Sequence, residues 1–282
     1  MSGKRRDLLF VVVGAQRTGT NLLREILNTN GDIAMLGEVF SPSTAPAHWA
    51  NFLAMLPVAE RPIVSANRAR ALLDKYIAFV DYRVRNHWID GDKSDVSAIG
   101  LDIKYNQLRS LDPPDRQYDD TPFFIEYLRA RDAIAIHIVR RNIIHCAISA
   151  MIAEQRGVWH DYVGMSIDGK YTIAPEECLV RARQIVRDRK AFLRFSTGVR
   201  VIDCSYEELV EQLDDAAEGE RVRAPGPLMD IAKGFDVPFD FHPDVRLRKA
   251  INLPYSKLIA NHAELVAALR NSDFADFAST VS

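Results

Sequence analysis

The chain has 282 residues and carries 36 lysines and arginines against 38 aspartates and glutamates, a formal net charge of −2. So even a balance excludes nucleic acid and anionic membrane surfaces as partners held by global charge, and an anionic ligand would have to be gripped by a local basic cluster. With 48% hydrophobic residues the length suits one large core, and a single domain over 1–282 is expected.

An apolar, β-branched run over 8–13 reads as a central parallel strand. It follows Lys4-Arg5-Arg6, and Val13-Gly14-Ala15 resembles a cleavage site, so the start mimics a secretory signal. The run is short, however, and cleavage would remove the strand that presents the next loop. Leu22, Leu23, Ile26 and Leu27 share one face of a helix over 21–28, which Asn30 and Gly31 end. A short strand over 33–36 follows, then a helical pattern over 48–88, broken near Pro57 and Pro62. Within it Leu72, Leu73, Tyr76, Ile77 and Val80 form a core stripe.

The run over 99–103 reads as a strand ending at Lys104, and 112–121 as a loop rich in proline and aspartate. Thr121 and Pro122 make a helix start, threonine as cap and proline in first position. A buried strand over 134–139 and a helix over 143–155 come next. Pro175, Glu176 and Glu177 open a long helix reaching about Phe195, and its basic residues from Arg181 to Arg194 read as a solvated face. After a strand over 199–204, the chain beyond Tyr206 is mostly helical. This alternation predicts an α/β sandwich of three layers, a central parallel sheet flanked by helices. No apolar stretch is long enough to span a bilayer.

Two segments carry chemistry. In the first, a strand stops at Gly14 and the loop Gln16-Arg17-Thr18-Gly19-Thr20-Asn21 leads into a helix. Strand, loop and helix in that order build a phosphate cradle, because main-chain N–H groups converge at the helix N-terminus and the dipole favours an anion there. Gly19 lets the backbone approach, Arg17 adds a planar charge, and Thr18 and Thr20 add hydroxyls. Thr20 stands where the common nucleotide-binding loop has its lysine, so the charge has moved ahead of the glycine. In the second, a strand ends in Arg140 and Arg141, and a helix starting near Asn142 carries Ser149 two turns along. Arg141 at the carboxyl edge of a sheet suits a second phosphate.

Together these motifs resemble the sulfotransferases that use 3′-phosphoadenosine 5′-phosphosulfate. The resemblance implies that Gln16, Arg17, Thr18, Gly19, Thr20 and Asn21 grip the 5′-phosphosulfate and that Arg141 and Ser149 grip the 3′-phosphate. It is similar in detail to the bacterial carbohydrate sulfotransferases of the trehalose and nodulation-factor type. There an early glutamate acts as general base, and Gly37-Glu38-Val39-Phe40 resembles that element, with valine departing at its middle position. Gly100 to Gln107 resembles a segment bearing a lysine, here Lys104, and Ser205-Tyr206-Glu207-Glu208-Leu209 a motif after a late strand. Arg248 and Lys249 resemble a basic loop that closes over the nucleotide. The implied fold is P-loop-like. The implied reaction moves a sulfuryl group to a hydroxyl of a carbohydrate or glycolipid, with Arg17 and Lys104 stabilising charge and Glu38 as base. Phe40, Trp159 and His160 would line the acceptor pocket. The product would be adenosine 3′,5′-bisphosphate, and no metal is required.

Residue by residue, other readings stay open: a kinase with a degenerate loop, which would need Mg²⁺, or a nucleotide-binding module without turnover. Cys146, Cys178 and Cys204 are odd in number, widely spaced and without metal-ligand spacing, so reduced thiols in a cytoplasmic protein are expected. The expected partner is a small-molecule or glycolipid acceptor, and the sequence leaves a homodimer open.

Overall fold

A computed structural model describes residues 8–41, 46–87, 93–158, 170–214, 226–242 and 253–281. The elements run β1 (Leu8–Gly14), α1 (Thr20–Thr29), β2 (Ile33–Glu38), α2 (Trp49–Met55), α3 (Ala66–His87), β3 (Ala98–Lys104), α4 (Phe123–Ala130), β4 (Ile134–Val139), α5 (Ile143–Arg156) and α6 (Pro175–Phe195). Then come β5 (Arg200–Ser205), α7 (Tyr206–Asp214), α8 (Pro227–Phe235), α9 (Tyr255–Leu258), α10 (His262–Arg270) and α11 (Ala278–Val281). The five strands form one parallel sheet in the order β2-β3-β1-β4-β5.

β1 sits at the centre because both its faces are apolar. Phe10 and Val12 pack with Leu23, Ile26 and Leu27 of α1 and with Ile231 and Phe235 of α8. Val11 and Val13 pack on the other side with Leu73, Tyr76 and Val80 of α3 and with α4. An uninterrupted apolar strand is what a sheet covered on both faces requires, and the expected three-layer α/β architecture is the one found. A further apolar cluster joins α5 and α6 to residues of α9, α10 and α11. β2 and β3 both lie on one side of β1, and β4 lies on the other. The loops after β1 and β4 therefore part at the carboxyl edge, where such sheets bind ligands.

Local chemistry explains both ends of α5. Asn142 caps α5 through its side-chain oxygen, which accepts from the His145 N–H at 3.0 Å, and Gly157 ends the helix in a left-handed conformation. The start of α4 differs from expectation. Pro122 is the cap residue, and the Asp112 carboxylate, eleven positions upstream, accepts from the Phe123 N–H at 2.7 Å. A long-range acid has replaced the local threonine. The basic face of α6 is solvated and paired: Arg181 meets Glu154 and Glu177, and Arg183 meets Asp273.

His137 is buried in β4, its ring 2.7 Å from the Tyr105 hydroxyl and 3.1 Å from Asp203 Oδ1, against Phe192. Burial pulls its pKa below the ordinary 6.5, and Asp203 only partly opposes this. The unfolded chain therefore binds the proton first as pH falls. His137 contributes stability in full above about 6.5, and that contribution is lost as pH falls towards the folded value. The urea midpoint should drop on acidification from pH 7.5, and the His137→Gln variant should show a flatter dependence over the same range. An equal slope in both proteins would mean that other groups set the acid sensitivity.

Candidate functional site

The loop between β1 and α1 is shaped by two glycines. A Cβ on Gly14 would lie 2.7 Å from the Ile138 carbonyl oxygen, so no side chain fits between β1 and β4 there. Gly19 has φ +93°, and its Cβ would lie 2.4 Å from the Tyr206 ring. Arg17 is also left-handed, at φ 67°. The Thr18 hydroxyl is buried and donates to the Ala15 carbonyl at 2.8 Å, so it braces the loop from within. The first turn of α1 begins with Leu23 N–H donating to the Gly19 carbonyl at 3.0 Å, and the N–H groups of Thr20, Asn21 and Leu22 precede it. Gln16 stands exposed at the loop tip, and Asn21 is half-buried.

Arg17 points back towards α5, where its Nε donates to Ser149 Oγ at 3.0 Å. The loop and the helix after β4, far apart in sequence, thus meet through the two residues expected at separate phosphates. Burial, and next the charge of Arg140, push the Arg17 pKa below its ordinary range. Arg140 stacks on Tyr206 at 4.9 Å from the ring centroid. Tyr255, from α9, is buried beside His145, and its pKa is pushed up to about 12 by desolvation. Two guanidinium groups whose charges act on each other beside a helix N-terminus are an arrangement that favours an anion.

Beside the loop a second group forms at the strand ends. Lys104 is buried, and its Nζ lies 2.6 Å from Thr20 Oγ1, 2.9 Å from both Asp102 oxygens and 3.5 Å from Glu38 Oε1. The register explains the meeting: Gly14 pairs with Lys104, and Glu38 pairs with Asp102. Lys104 is therefore no surface lysine, and Glu38 faces Lys104, with a quarter of its side chain exposed. Asp102, with no exposed surface, was not singled out from sequence. Its signal was there: in an apolar strand, an acid two positions before a lysine shares its face.

The remaining expected residues are more scattered. Arg141 is exposed, pairs with Glu208 of α7, and its main-chain N–H donates to Glu207 at 3.0 Å. It is not in contact with Ser149 through any hydrogen bond seen among the described residues. Asn142 serves as the α5 cap and donates to Thr280 at 2.7 Å. Phe40 is half-buried in an aromatic cluster with Trp49, Tyr76 and Phe124. Trp159, His160, Arg248 and Lys249 lie outside the described residues. Among the described residues no cluster of three or more histidine, cysteine, aspartate or glutamate side chains is placed to hold a metal, and no helix is long and apolar enough to cross a membrane.

A family model described as the sulfotransferase family matches residues 10–219, which run from Phe10 of β1 through α7 and include every described residue of the two groups above except Tyr255. No curated protein matches the chain.

Proposed function

Since the chain belongs to the sulfotransferase family, we propose that it moves a sulfuryl group from 3′-phosphoadenosine 5′-phosphosulfate to a hydroxyl, on a carbohydrate or glycolipid. The observation that carries this reading is the convergence on one strand edge of a desolvated Arg17 in a helix-N-terminal loop and a Lys104–Glu38 pair at that helix's first residue. The donor supplies an activated sulfuryl group with a phosphate as leaving group. Arg17 and Arg140 suit such a group, since the repulsion between them is relieved when an anion enters.

In this reading the N–H groups of the first turn of α1, with Arg17, hold the phosphosulfate. Arg17 is drawn from Ser149 towards the ligand, which frees Ser149 to meet the 3′-phosphate. Arg141 joins it there after exchanging Glu208 for the phosphate. Lys104 offers charge at the transferring group, and Glu38 takes the proton of the acceptor hydroxyl. Positioning and electrostatics do most of this work, as in phosphoryl transfer. We place the reaction in the cytoplasm, with the whole of 1–282 as one domain. A second copy could share the acceptor site, but nothing in the reaction requires it.

Calorimetry without metal tests the donor. Adenosine 3′,5′-bisphosphate should bind far better than AMP, and Arg141→Ala should narrow the gap. Equal affinity for the two nucleotides, or binding only with Mg²⁺, would favour a kinase. Turnover is then sought with labelled donor against carbohydrate, lipid and phenol acceptors.

A further inference from the structure

The Lys104 ammonium has three donors, and the structure accounts for them: the fully buried Asp102 carboxylate at 2.9 Å to each oxygen, Thr20 at 2.6 Å and Glu38 at 3.5 Å. Asp102 and Lys104 sit two positions apart on β3, so their side chains leave the same face beneath the N-terminus of α1. A carboxylate with no exposed surface is costly beside a site built for an anion, since it repels the ligand the loop attracts. Apolar residues in place of both Asp102 and Lys104 would pack at least as well, so the retained charges call for a reason.

We infer that Asp102 is a positioning residue and counter-charge for Lys104: it holds the ammonium between Thr20 of the loop and Glu38, and withholds its charge from an anion resting in the loop. The inference builds on the anion-cradle reading proposed above. Held in this way, Lys104 does not cling to a bound phosphate, and it lies next to the carboxylate proposed to take the acceptor's proton. Thr20, whose oxygen accepts from Lys104, keeps its own proton to donate into the loop. Binding that is restrained in the ground state leaves more interaction to be gained when charge develops.

The test is a double-mutant cycle on the full chain, with adenosine 3′,5′-bisphosphate and, separately, inorganic sulfate as probes. Asp102→Asn keeps the shape and removes the charge. Released from its counter-charge, Lys104 should tighten bisphosphate binding by about tenfold, a modest share of a full charge-charge interaction near the surface. The gain should vanish in the Lys104→Met background. A purely structural Asp102 predicts weaker binding instead. Unchanged or weaker binding by a folded Asp102→Asn protein would overturn the inference, and so would the same gain with Lys104 absent. A second readout needs no ligand: Lys104→Met strands a buried carboxylate, so Asp102→Asn/Lys104→Met should have the higher urea midpoint. If Asp102→Asn does not fold, this comparison decides, and a double variant no more stable than Lys104→Met counts against the pairing. A wild-type protein that binds neither probe would refute the cradle itself, whereas binding without coupling refutes only the role of Asp102.

Discussion

Glu38→Gln is expected to lower turnover by about 10²–10⁴-fold, the usual range when a general base is lost. Affinity for adenosine 3′,5′-bisphosphate should change far less than turnover, since Asp102 still holds Lys104. Glutamine keeps the shape and can still accept a hydrogen bond from Lys104, 3.5 Å away, but it cannot take up the acceptor's proton. Substrate KM should change little, with the loss in kcat. Glu38 is suited to this task because it is part-exposed, whereas its strand neighbour Asp102 is sealed off and has both oxygens on Lys104. The competing role is to steer Lys104, and it makes a different forecast: bisphosphate affinity would shift along with turnover. Wild-type turnover in Glu38→Gln with a confirmed acceptor would end the base assignment and direct attention to His48, which lies 3.4 Å from the Ser41 hydroxyl near the same turn.

Arg17→Met should weaken bisphosphate binding by a factor of about 10–150, the equivalent of one charge-assisted contact of roughly 1.5–3 kcal/mol. Folding stability should respond differently. Arg17 is desolvated and crowded by Arg140, so its charge is held at a cost in the free protein. Removing it forfeits the hydrogen bond to Ser149 but relieves that repulsion, and the unfolding free energy should stay within about 1 kcal/mol of wild type. Loss of binding without loss of stability is the mark of a residue kept for its ligand. Titration calorimetry and urea denaturation of the same preparation check both halves. If Arg17→Met binds bisphosphate as well as wild type, the loop is a plain strand-to-helix turn. If it unfolds, the guanidinium is a structural strut between the loop and α5.

Much of the fold could be read along the chain because its signals are local. The apolar run of β1 and the stripe of Leu72, Leu73, Tyr76, Ile77 and Val80 announce burial whatever surrounds them, and all are buried except Leu8, Leu9 and Ile77, which are half-buried. The loop from Gln16 to Asn21 was legible for the same reason, since a glycine at positive φ and a helix N-terminus are properties of a few successive residues. The cap of α4 was not, because Asp112 reaches it from across a loop. The partner of Arg17 was not either: Ser149 was recognised, but as a neighbour of Arg141 rather than of the loop arginine.

The sequence by itself determined the order of strands and helices, the shape of the loop after β1 and the residues proposed to work there, since each follows from composition over a handful of positions. Only the tertiary structure decided which of them meet. Met35 pairs with Gly100 but Glu38 with Asp102, so β2 spends three residues where β3 spends two. Strict alternation would turn Glu38 to the face opposite Met35, away from α1. The irregularity brings it back to the side of Asp102 and Lys104, because one extra residue in a strand reverses every side chain that follows. A period of two is visible in a sequence, but a register shift depends on the neighbouring strand, which folding alone supplies.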